Sequence, residues 1–139
     1  MSYIDEAVNL FGQGYVCSQA VFAAFSEDFN LPKDKALKIG ACFGSGMRKA
    51  EVCGACTGAL MAIGLKYGDD KQKSNEVCEK FLDEFKKENG SYICRDLLEC
   101  DISTPEGVEK AVSKNLFKDF CPLMVESAAK ICEEILFKG

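Results

Sequence analysis

Nine cysteines and no histidine define the chemistry open to this 139-residue chain. Without histidine, the commonest general base and metal ligand is missing. Histidine-based triads, mixed Cys/His zinc sites and CxxCH haem attachment are therefore excluded. The thiols are Cys17, Cys42, Cys53, Cys56, Cys78, Cys94, Cys100, Cys121 and Cys132. The opening stretch MSYIDEAVNLFGQG has neither a basic n-region nor an apolar h-region, so it does not read as a secretion signal, and a cytoplasmic location is expected. In that compartment so many thiols point to metal or redox use before structural disulfides, and the odd count points the same way.

Position along the chain separates the nine. Cys17 precedes SQAVFAAF, Cys53 precedes GACTGAL, Cys94 precedes RDLL and Cys121 precedes PLMVESAA. Each stands at or just before the first turn of a predicted helix. There the unpaired N–H groups and the positive end of the macrodipole favour an anion. Four such thiolates from four helices can surround one negatively charged centre, with thiol pKa values expected below about 8.5. Cys53-x-x-Cys56 is the only local pair, which makes Cys56 a candidate extra thiol. Cys78 and Cys132 fall mid-helix on apolar faces and read as small buried hydrophobes. Cys42 and Cys100, at the ends of helices, are expected to pack rather than react. The two arginines, Arg48 and Arg95, lie close in sequence to Cys53 and Cys94, where a fixed cation would favour a thiolate or could equally be an ordinary surface ion-pair partner. Gaps of 36, 41 and 27 residues between the four helix-start thiols match neither compact ferredoxin spacing nor paired zinc-ribbon motifs.

The elements that must position these thiols are helical almost throughout. Ile4, Ala7, Val8 and Phe11 keep helical spacing behind Ser2 as N-cap, and Gly12 and Gly14 end that helix. Ala20, Val21, Ala24 and Phe25 mark a second helix. Pro32 opens a third, which fades into FGSGM as a flexible loop. A fourth runs from Cys53 to a stop at Gly68, and a fifth carries Val77, Cys78, Phe81, Leu82 and Phe85 to Gly90. A short turn follows Cys94. Thr104-Pro105 then starts a helix expected to reach about Phe117, and the last helix starts at Cys121-Pro122. The fold expected is all-α: one compact domain over residues 1–139 of about six or seven short helices.

Composition narrows the partners. A net charge of −5 supplies no basic footprint for nucleic acid or an anionic membrane. The longest apolar stretch, Val52 to Leu65, has 14 residues against the roughly 20 of a membrane span, so it reads as a buried helix.

The segments GYVCSQAV, CGACTGALMAIGLKYG, ICRDLL and CPLMVESAA resemble the C_GCAxxG_C_C family of redox-active proteins over nearly the whole chain. The resemblance assigns the family's four cysteines to Cys17, Cys53, Cys94 and Cys121. It places the CGAxxG motif on Cys53, Gly54, Ala55 and Gly58. It implies a small helical redox protein, of a kind often encoded beside oxidoreductases or transporters. A similar domain in the split-Soret cytochromes, where the cysteines are taken as an iron–sulfur site, extends the implication to a cluster. The haem role does not carry over, because CxxCH is missing. Cys56, Cys42 and Cys100 are departures from the family pattern.

Thiolate-only ligation suits an iron–sulfur cluster best. The expected cofactor site is then Cys17, Cys53, Cys94 and Cys121, with Gly54 and Gly58 letting helices and cluster approach the backbone. The expected partner is a redox protein or oxidoreductase, and the expected role is electron transfer or redox support rather than stand-alone catalysis. The alternatives are a metal-free dithiol/disulfide protein that uses Cys53 with Cys56 or with another motif cysteine brought close in space, and a zinc-bound structural or interaction module.

Overall fold

A computed structural model describes residues 2–138. Of the described residues, 79% are helical and none forms a strand. In chain order the helices are α1 (Tyr3–Gly12), α2 (Cys17–Ser26), α3 (Lys33–Ile39), α4 (Gly54–Tyr67), α5 (Lys71–Asn89), α6 (Cys94–Leu98), α7 (Pro105–Ser113), α8 (Leu116–Asp119) and α9 (Cys121–Phe137). The caps are where the sequence puts them. The Ser2 hydroxyl accepts from the Asp5 N–H at 3.0 Å, and the Thr104 hydroxyl accepts from the Gly107 N–H at 3.0 Å just before Pro105. Gly90 ends α5 in the left-handed region at φ 91°.

The core is a bundle in which α4 lies against α2, α5 and α9, while α1 packs on α2 and α9. α4 can sit in the middle because its buried face is small: Gly58, Ala59 and Ala62 leave room for neighbouring backbones. The volume between helices is filled from the other side by Phe25, Phe81, Phe85 and Leu136, each fully or almost fully buried. Burying one such side chain stabilises the fold by about 1.5–3 kcal/mol. Among the described residues, no helix is long and apolar enough to cross a membrane. The apolar run after Cys53 is thus explained by helix packing.

Three expectations need correction. The helix from Pro105 stops at Ser113 rather than near Phe117, because Asn115 turns left-handed at φ 58°. Its amide Nδ2 donates to Asp119 Oδ2 at 2.9 Å and so fixes the turn that starts α8. FGSGM is not a loose loop but the entry to a tightly tied turn, described below. Cys78 is only half-buried and Cys42 is exposed, so neither is a packed core thiol. Cys78 lies on α5, and Cys42 closes the short 3-10 turn Gly40–Cys42 that follows α3.

Cys132 is fully buried, as its apolar helix face requires, and its Sγ lies 3.8 Å from the Ala59 carbonyl oxygen. Burial pushes this thiol well above its ordinary range. A raised folded-state pKa means stability is complete below the unfolded thiol's pKa of about 8.5 and is lost as pH rises beyond it. Cys17, Cys56, Cys94 and Cys121 are also raised and act in the same direction. Urea unfolding under reducing conditions is therefore expected to show stability falling between pH 8.5 and 10, by up to about 1.4 kcal/mol per pH unit per thiol. Cys132→Ala should fall less steeply by one such thiol; parallel curves for parent and variant would refute this account.

Candidate thiol centre

The four helix-start thiols occupy the expected positions. Cys17, Cys94 and Cys121 are the first residues of α2, α6 and α9, and Cys53 is the N-cap of α4. Three of the starts, those of α2, α4 and α6, are tied to other parts of the chain. Gln19 Oε1 accepts from the Val16 N–H at 2.9 Å while its Nε2 donates to the Leu37 carbonyl at 2.8 Å. The neighbouring Ser18 hydroxyl, fully buried, donates to the Gly40 carbonyl at 2.7 Å. These bonds fix the start of α2 against α3. Cys53 and Cys94 are joined more directly, through a single antiparallel bridge between Val52 and Ile93. The Cys53 N–H donates to the Tyr92 carbonyl at 2.8 Å and the Cys94 N–H to the Glu51 carbonyl at 2.5 Å. Two helix starts 41 residues apart are thereby held side by side.

The turn leading into this bridge is strained. Ser45, Gly46, Met47, Arg48 and Ala50 all have positive φ, between 55° and 68°. For each of the four non-glycine residues the left-handed conformation costs about 1–2 kcal/mol. It persists because both ends are fastened: the Met47 N–H donates to the Phe43 carbonyl at 3.2 Å, and the Glu51 N–H to the Gly46 carbonyl at 3.0 Å. Arg95 pairs with Glu51 at 3.0 Å and donates to the Lys49 carbonyl at 3.4 Å. Strain of this kind concentrates at functional sites. Here it aims the Ser45 N–H at the Cys17 sulfur. Only glycine fits at position 46, where a Cβ would fall on the Glu51 nitrogen and lie 3.0 Å from Cys94 Cβ.

All four thiols line one cavity of about 310 Å³. Gly54 forms part of its wall, and a side chain there would collide with Cys17 Sγ. The remaining wall is apolar and largely aromatic, including Phe11, Tyr15, Leu97, Phe120 and Met124. Gly58 lies one turn further along α4 and faces α2 rather than the cavity. Cys56 sits behind Cys53, fully buried, and its S–H donates to the Cys53 sulfur. Cys100 is close enough to Cys94 and Cys121 to influence both electrostatically, although it does not line the cavity. Among the described residues, no group of three or more His, Cys, Asp or Glu side chains is placed to hold a metal ion.

The electrostatics divide the four. Cys53 is held below the ordinary thiol range by the hydrogen bond from Cys56 and by the N–H groups of Ala55 and Cys56, which outweigh its burial. The other three are shifted the opposite way. Burial first, and then the charge of Cys53, raises Cys17; the Ser45 N–H only partly offsets this. Cys94 and Cys121 are pushed up to about 12, again by burial and then by Cys53, with Arg95 giving Cys94 slight relief. Helix starts therefore do not make four ready thiolates, as position alone suggests. Desolvation and mutual repulsion in one small space exceed the effect of the macrodipole, which is typically about 0.3–1 kcal/mol. A positively charged centre in the cavity would reverse this balance, since a coordinating thiol is deprotonated outright.

Sequence order hid several members of this site. Ser45, Gly46, Phe117 and Phe120 carry no local signal, because only the folded path of the chain brings them to the cavity. Arg48 is exposed on the strained turn.

No curated protein and no solved structure matches the chain. The family model described as putative redox-active protein, C_GCAxxG_C_C, matches residues 15–135, a span that takes in all four cavity thiols. The chain belongs to the C_GCAxxG_C_C family of redox-active proteins.

Proposed function

We propose that this redox protein holds an iron–sulfur cluster on Cys17, Cys53, Cys94 and Cys121 and passes single electrons to a partner protein. One observation carries the reading: four thiols from four helix starts line a single cavity. A zinc ion lies about 2.3 Å from each sulfur, which would draw a tetrahedral set to within about 4 Å of one another. A cluster of several atoms spreads its ligands around a volume instead, as a cavity lined by four thiols allows. The residues present fit such a group. The donor set is thiolate-only, and Gly54 keeps the space beside Cys17 Sγ clear. When bound, a cluster supplies one-electron chemistry at a potential set by charge, hydrogen bonds to sulfur and exposure. The Ser45, Ala55 and Cys56 N–H groups are the donors this chain offers to sulfur, and the apolar walls exclude water.

A second reading has its own observation. The Cys56 S–H bonded to a lowered-pKa Cys53 at the start of α4 is the geometry of a dithiol poised for exchange. Anaerobic purification with iron, sulfide and zinc assays separates the readings. Iron and sulfide are expected, and single Cys→Ser changes at positions 17, 53, 94 and 121 should each abolish them, while Cys78→Ser should leave both near the parent value. A colourless protein whose Cys53 and Cys56 oxidise as a pair would overturn the cluster in favour of the dithiol. Full iron in Cys121→Ser would overturn the ligand set.

A further inference from the structure

The cavity is built for more than four sulfurs. None of its lining residues is Asp, Glu, Lys or Arg. Its polar side chains are the thiols, the Tyr15 hydroxyl and the Ser45 hydroxyl. An anion entering it would leave water with no cation there to meet it. The floor is buried, formed by Cys53, Cys94, Leu98 and Met124. The rim is different: Phe11, Tyr15, Phe117 and Phe120 are all partly exposed around the opening. Rings at the lip of an uncharged cavity offer faces and edges to another flat ring. The volume of about 310 Å³ belongs to the whole cavity, so a ligand at the rim takes only its outer part, above the thiols, where a thin, flat molecule fits.

We propose that this rim is a binding site for a small, flat, uncharged organic molecule, the class to which quinones belong, which enters between the aromatic side chains and rests above the thiol-lined floor. Its use as an electron donor or acceptor rests on the redox reading of the thiols; its binding does not. The segment from Ile102 to Phe120 supplies one side of the rim and packs on the bundle mainly through α8 against α9.

The methionines give a selective readout. Met124 lines the cavity, whereas Met47 is exposed on the strained turn and Met61 packs in the core away from it. The reduced protein as isolated, labelled at its methionine methyl groups, is titrated with naphthalene and separately with naphthalene disulfonate, and followed by NMR. Naphthalene is expected to shift Met124 saturably and leave Met47 and Met61 in place; the disulfonate should shift none of them. Phe120→Ala should bind about tenfold more weakly, with Phe117→Leu as a milder second variant, and Val112→Ala on the outer face of α7 should bind as the parent does. An unmoved Met124, an equal response to the disulfonate, or equal shifts at Met47 would overturn the proposal. Redox-inert thiols with Met124 still responding would defeat the redox reading alone. Active thiols with an unmoved Met124 would defeat only the binding site.

Discussion

Gly54→Ala is expected to give a folded helical protein that has lost its thiol centre. Gly54 is the first residue of α4, and a Cβ there would fall on Cys17 Sγ while standing 3.2 Å from both Gly44 Cα and the Phe43 carbonyl oxygen. The two backbone neighbours cannot give way cheaply, because they lead into the turn fastened at Met47 and Glu51. Cys17 must move instead, and the bonds of Ser18 and Gln19 prevent α2 from moving with it. Overpacking of this kind costs about 1–3 kcal/mol, and the better helix propensity of alanine returns up to about 1 kcal/mol. The net loss of about 1–2 kcal/mol should leave the circular dichroism intact. The site suffers more, since the sulfur is turned out of the cavity. On the cluster reading proposed above, iron and sulfide should fall to background; on either reading Cys17 should alkylate faster than in the parent under reducing conditions. Parent levels of iron together with an unchanged Cys17 alkylation rate would show that this contact does not position the thiol.

The fold was legible in the sequence wherever local rules decide it. Ser2, Thr104-Pro105 and Gly90 cap helices because the chemistry of a cap is contained within a few residues. The four thiols could be picked out for the same reason, as each helix start announces itself. What sequence could not show is where those starts point. The bridge between Val52 and Ile93, the left-handed run from Ser45 to Ala50 and the aromatic rim all depend on contacts between distant segments. The pKa ordering was misjudged for a related reason. A helix start is a local feature, but burial and repulsion are properties of the assembled cavity, and they raise three of the four thiols. Asn115 shows the limit of periodicity: the apolar pattern continues past Ser113, yet one left-handed residue ends the helix.

The other large effect lies in the same helix and reaches stability without touching a sulfur. Gly58→Val should destabilise the protein by about 3 kcal/mol or more, whereas Gly64→Ala should stabilise it by about 0.5–1 kcal/mol. A Cβ at position 58 would stand 2.6 Å from the Ser18 carbonyl oxygen and 3.2 Å from the Phe22 nitrogen. Both are backbone atoms of α2, so no rotamer change relieves the clash and the two helices must separate. The two helices pack on each other and carry Val21, Phe22 and Ala59, all buried, so parting them exposes apolar surface. In a domain whose total stability is of order 5–15 kcal/mol, such a loss lowers the melting temperature by about 10 °C. At Gly64 the same added carbon meets nothing within 4 Å and the residue is exposed, so only the backbone preference for helix remains. Urea unfolding of the two variants beside the parent measures both signs at once. Equal midpoints for Gly58→Val and the parent would mean that α2 and α4 do not approach as closely as the glycine implies. The thiol cavity would then be held by the Val52–Ile93 bridge, the Ser18 and Gln19 bonds and the strained turn rather than by close approach of α2 and α4.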